Sequence, residues 1–81
     1  MNKNKINKLY KTSSLPVACV LSMGFPLFDI DKTDPKRALF VFEESPELED
    51  AISSYWEGAL KVDPQAYFNQ LKVLKARLYG D

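Results

Sequence analysis

Histidine is absent from the 81 residues and cysteine occurs once, at Cys19. Those two gaps exclude an imidazole-based triad, a proton shuttle near neutral pH, the common zinc ligand sets and any intrachain disulfide. Cys19 lies in the apolar run LPVACVL and reads as a small apolar residue on a buried helix face rather than a reactive thiol. Glycine is also scarce, with three residues, and none belongs to a Gly-rich phosphate loop. Ser13, Ser14, Ser45, Ser53 and Ser54 have no identifiable base, so no catalytic residue is assigned and the protein is expected to be non-enzymatic, without cofactor or metal. Long apolar runs are missing as well. The stretch LPVACVLSMGFPLF falls well short of the roughly 20 residues that span a bilayer, and Gly24 and Pro26 interrupt it. Lys3, Lys5, Lys8 and Lys11 before that stretch resemble the basic start of a signal peptide, but Pro16 opens the run and no small-residue cleavage site follows. The expectation is a cytoplasmic protein with no membrane contact.

What is present is an ordinary globular composition, 46% hydrophobic and 27% charged, which argues against a wholly disordered chain. A chain of this length has room for one core and buries only about 60% of its unfolded surface. Residues 1–11 are Asn- and Lys-rich with few apolar points, and read as a flexible basic arm ahead of a single small domain over residues 12–81.

Three helix starts are legible. Ser13 or Ser14 ahead of Pro16, Ser45 ahead of Pro46, and Asp63 ahead of Pro64 each pair a capping side chain with a proline in the first turn. Gly24 suits a left-handed residue ending the first helix, and Gly80 follows the last, expected over residues 64–79. Between the first two helices, FPLFDI and RALFVFE flank the turn-forming DKTDPK and predict a β-hairpin. The predicted fold is thus α+β: helix, β-hairpin, helix, helix. Leu48, Ala51, Ile52, Tyr55, Trp56, Ala59 and Leu60 repeat at helical spacing, which predicts one long stripe in a second helix packed tightly on the third. The expected core is Leu21, Phe40, Phe42, Ile52, Trp56, Phe68, Leu71 and Leu74. On the second strand Leu39 and Val41 point away from Phe40 and Phe42, so the outer hairpin face needs a cover.

Charge sums to zero, with 11 basic and 11 acidic residues, but it is segregated. The arm and the last helix are basic. If they meet, Lys8, Lys11, Lys72, Lys75 and Arg77, with Tyr10 and Tyr79 for stacking, form a surface suited to single-stranded nucleic acid or a nucleic-acid complex. The alternative is an adaptor or inhibitor that binds a protein partner through Leu39, Val41, Glu43, Glu44, Glu47, Glu49 and Asp50, the outer hairpin face and the acidic helix start. Either a monomer or a homodimer fits. The same carboxylates, with Asp29, Asp31 and Asp34, are explained by turn formation and helix-dipole compensation rather than metal binding.

The segments TSSLPVACVLSMGFPL and ALFVFEESPELEDAISSYWEGALKVDPQAYFNQLKVLKARLY resemble an uncharacterised family of very short bacterial, plasmid and phage proteins classed as a domain of unknown function. The resemblance covers residues 12–79. It implies no catalytic residue, and implies a setting among small accessory proteins of mobile elements.

Overall fold

A computed structural model of the chain describes residues 8–80. It is α+β, in the order β1 (Leu9–Thr12), α1 (Leu15–Ser22), β2 (Asp29–Asp31), β3 (Leu39–Glu43), α2 (Pro46–Trp56) and α3 (Pro64–Gly80). All three helix starts are built as their sequence signals require. The Ser14 hydroxyl accepts from Val17 N–H at 3.3 Å, the Ser45 hydroxyl from Leu48 N–H at 3.1 Å, and an Asp63 carboxylate oxygen from Ala66 N–H at 2.8 Å. Each satisfies a backbone donor that the first helical turn leaves free.

The sheet has one strand more than the hairpin. β1 pairs antiparallel with β3, giving the order β1-β3-β2. The arm expected over residues 1–11 is corrected here at Leu9, Tyr10 and Lys11, while its first seven residues lie outside the described ones. Leu9 and Lys11 alternate with Tyr10 and Thr12, a strand pattern hidden in a polar stretch, and the two-stranded hairpin gains the third strand that independent stability requires.

Register divides the sheet into two faces. Phe40 and Phe42 pair with Thr12, Ile30 and Tyr10 on the inner face, against which the helices pack. Val17, Ala18, Cys19 and Leu21 of α1, Leu48 of α2 and Leu74 of α3 complete the core with the two phenylalanines. α1 is its centre: α2 and α3 both pack on α1, and more extensively than on each other, where the short connection suggested a tight pair. Ile52 and Leu71 are half-buried against this core. Trp56 and Phe68, expected inside it, are 69% and 61% exposed.

The outer face has its own cover. Lys11 stands opposite Val41 on one side of β3, and Asp31 opposite Leu39 on the other, so all four side chains share that face. The Lys11 Nζ lies 4.0 Å from Asp31 Oδ2. The flanking strands are about 10 Å apart, so this ion pair carries the lysine stem across β3. Val41 beneath it is 3% exposed.

The α2 stripe also ends earlier than its period suggests. Gly58 has φ +75, Gly58 N–H donates to the Tyr55 carbonyl at 3.1 Å and Ala59 N–H to that of Ser54 at 2.9 Å. That is the paired hydrogen bonding of a Schellman stop, which puts Ala59 and Leu60 outside the helix. Gly24 does not take the left-handed role expected of it; α1 instead runs out through right-handed turns, with Phe25 N–H donating to the Leu21 carbonyl at 2.8 Å.

Candidate functional site

The basic surface anticipated from the sequence is divided by the fold. Lys8 sits at the acidic end of the sheet, where its carbonyl accepts from Glu44 N–H at 2.9 Å. Tyr10 is half-buried on the inner face against the core and is not free to stack on a base. Lys11 is engaged with Asp31 in the outer strap. From Glu44 to Ala38, where α3 ends, is six residues of strand and flanking chain, about 20 Å at strand rise. The strand residues therefore do not join the last helix in one patch.

What the last helix meets is the β2–β3 loop. Lys32, Asp34, Pro35, Lys36, Arg37 and Ala38 line a cleft of about 440 Å³ together with Leu78 and Tyr79. Two carboxylates shape the loop: Asp31 accepts from Thr33 N–H and Asp34 from Lys36 N–H, both at 2.9 Å. Lys32 Nζ donates to the Arg77 carbonyl at 3.4 Å, tying loop to helix. The Asp31 carboxyl is held below its ordinary range, first by the Thr33 side chain and backbone N–H and then by Lys11.

On α3, Lys72, Lys75 and Tyr79 recur at i, i+3 and i+7 and so share one stripe; all three are exposed, Tyr79 at 76%. Arg77 is two residues from Tyr79 and points about 160° away around the helix, so it leaves the predicted set. Lys36, Arg37, Lys72 and Lys75 have no ion-pair partner among the described residues. The site is thus an aromatic ring between two basic segments. Its loop half was missed because DKTDPK was read for its turn chemistry and Arg37 for the strand that follows, although the three basic residues were in view.

The surface considered for a protein partner is altered too. Val41 is buried and Leu39 half-buried, so the outer face offers no open apolar strand. Glu43, Glu47, Glu49 and Asp50 are exposed and Glu44 half-exposed, at the end of the sheet opposite the basic cleft. Glu47 and Glu49 lie in the first turn of α2, where the helix dipole favours them.

A second concavity lies between α2 and α3, which splay apart over α1. Pro16, Val20, Tyr55, Leu60, Val62, Pro64, Gln65, Tyr67 and Phe68 line this groove of about 770 Å³. Tyr67 stands over the core: its carbonyl accepts from Cys19 Sγ at 3.4 Å, and burial, then Cys19 and Tyr55, push its hydroxyl pKa up. Cys19 is fully buried, and that burial raises its thiol pKa. No group of three or more potential metal-ligating side chains occurs among the described residues, and no helix there is long and apolar enough to cross a membrane.

A family model described as a domain of unknown function (DUF5659) covers residues 7–80, taking in β1 as well as the helices and hairpin. No curated protein and no solved structure matches the chain.

Proposed function

The chain belongs to the DUF5659 family, and from that premise we propose that it is a non-enzymatic binding module for single-stranded nucleic acid, engaged by the basic cleft at the end of the sheet. One observation carries the reading. The fold brings Lys36 and Arg37 of the β2–β3 loop beside Tyr79, on whose helical stripe lie Lys72 and Lys75. Cations that track a phosphate backbone on either side of an exposed ring are what a sequence-tolerant single-strand binder needs. The ring supplies a stacking platform, and the cations lie at the end of the molecule away from Glu43, Glu44, Glu47, Glu49 and Asp50. A strand of nucleic acid is then attracted to one end and repelled from the other, which orients it. The reading includes a cytoplasmic location and the accessory role in a phage or plasmid that the sequence resemblance implies.

Fluorescence anisotropy with a labelled oligothymidine tests it. Binding is expected at low salt, weakening with a slope near −0.7 per phosphate contact. Lys72→Glu with Lys75→Glu abolishes binding, and Tyr79→Ala weakens it with little change in slope. Absence of binding at low salt, or indifference to the double charge reversal, refutes the reading.

A further inference from the structure

We propose that the basic cleft at the end of the sheet selects guanine at one position, with the Asp34 carboxylate reading the base that stacks on Tyr79. The inference rests on the nucleic-acid reading above and adds a base preference to it.

Asp34 is out of place in a cleft for phosphates. It lines the same hollow as Lys36, Arg37 and Tyr79, and a negative charge there weakens the hold on any phosphate backbone. Turn chemistry explains only half of it. Asp34 Oδ1 accepts from Lys36 N–H at 2.9 Å, and Arg37 N–H closes the turn on the Asp34 carbonyl at 3.1 Å. An asparagine would hold that turn as well. What aspartate adds is charge and a second acceptor oxygen, and Oδ2 has no partner among the described residues. The residue is exposed, so a ligand can reach it.

Base edges decide which base fits. Guanine alone sets two N–H donors side by side on its Watson–Crick edge, N1–H and the N2 amino group, and a carboxylate accepts such a pair in bidentate fashion. Adenine and cytosine place a ring-nitrogen acceptor beside their amino group, and thymine flanks its one N–H with two carbonyls. Each of these turns a lone pair toward the carboxylate. The remaining guanine acceptors, O6 and N7, match the cations of the same turn, Lys36 and Arg37.

Size and stacking agree with that choice. The cleft of about 440 Å³ lies within the range of about 300 to 1,000 Å³ that takes a small ligand, so it admits one unpaired base rather than a duplex. Unpaired bases are read on their edges while stacked on an aromatic ring. Tyr79, 76% exposed near the end of α3, is that ring. Lys32 Nζ, donating to the Arg77 carbonyl at 3.4 Å, holds the loop against the helix and keeps ring and carboxylate in one site. A group that costs affinity on every strand and regains it on one base confers specificity.

Fluorescence anisotropy on the full chain, with a labelled oligothymidine and the same strand carrying one central guanine, adenine or cytosine, tests the proposal. The guanine strand should bind about 5-fold or more tighter than the adenine strand, the gain of one bidentate base contact. Comparison with adenine removes what a larger ring gains by stacking alone. Asp34→Asn keeps an oxygen for the turn, and should lose the preference while binding oligothymidine as well as before or better. Asp34→Ser, also compatible with the turn, repeats the test. Equal binding of the guanine and adenine strands, with oligothymidine still bound, overturns the proposal and leaves the nucleic-acid reading intact; no binding of any strand at low salt removes both. A guanine preference that survives in both variants also overturns it. So do variants, folded by circular dichroism, that bind no strand, since the carboxylate then serves the loop alone.

Discussion

Phe42 and Trp56 are both large aromatics that sequence periodicity assigns to the core, and the structure separates them sharply. Phe42 is 0% exposed on the central strand, opposite Tyr10 and against the α1 side chains; Trp56 is 69% exposed at the end of α2. Truncating a fully buried phenylalanine costs about 3 to 5 kcal/mol, because the cavity adds to the lost transfer energy. A domain of this length has about 4 to 12 kcal/mol to lose. Phe42→Ala should therefore lower the melting temperature by about 12 °C or more, or leave the chain unfolded at room temperature. For Trp56, only about 60 Å² of ring surface is covered in the single chain, worth at most about 1.5 kcal/mol at 25 cal/mol per Å². Compactness of the denatured chain lowers that figure further. Thermal melts followed by circular dichroism should show a loss at Phe42→Ala at least twice that at Trp56→Ala. Equal losses, or a larger one at Trp56, would refute the placement of α2 on the core.

Three further outcomes follow from local geometry. Gly58→Ala should destabilise by about 1 kcal/mol through its left-handed backbone alone, since no atom lies within 4 Å of the added methyl; a neutral result in a urea titration removes the Schellman stop. Asp31 has a folded pKa below its unfolded one, so its contribution is present above the ordinary carboxylate range of about 4 and is lost as pH falls through the lower folded value. Asp31→Asn should therefore flatten the acid side of the stability profile, and an unchanged profile contradicts the Thr33 hydrogen bonds that chiefly hold this carboxylate. Cys19, buried and with a raised thiol pKa, should resist iodoacetamide in the native protein and react on unfolding; rapid native alkylation, read by mass spectrometry, is inconsistent with this core.

Helix starts were the most legible part of the sequence because their signals are local. A capping side chain and a proline three residues apart or fewer specify the first turn whatever the rest of the chain does, and Ser14, Ser45 and Asp63 all act as read. The hairpin and the Phe40 and Phe42 face were legible from alternation. β1 was not, since four residues with two apolar side chains gain strand character only from pairing with β3. The fates of Trp56 and Leu60 were hidden for a related reason: helical periodicity continues past Gly58, but backbone conformation ends the helix there and opens a groove where a packed helix pair was expected. The candidate site was half legible. Lys72, Lys75 and Tyr79 share a stripe by spacing alone, whereas Lys36 and Arg37 join them through a tertiary contact between loop and helix end.

Chemical-shift mapping of backbone amides during titration with oligothymidine tests the central claim most directly. The account predicts that perturbations gather at Lys32 to Ala38 and at Lys72 to Tyr79 and fade as salt is raised. Perturbations centred on Lys8 to Lys11 or on Glu43 to Asp50, or none at low salt, would contradict it.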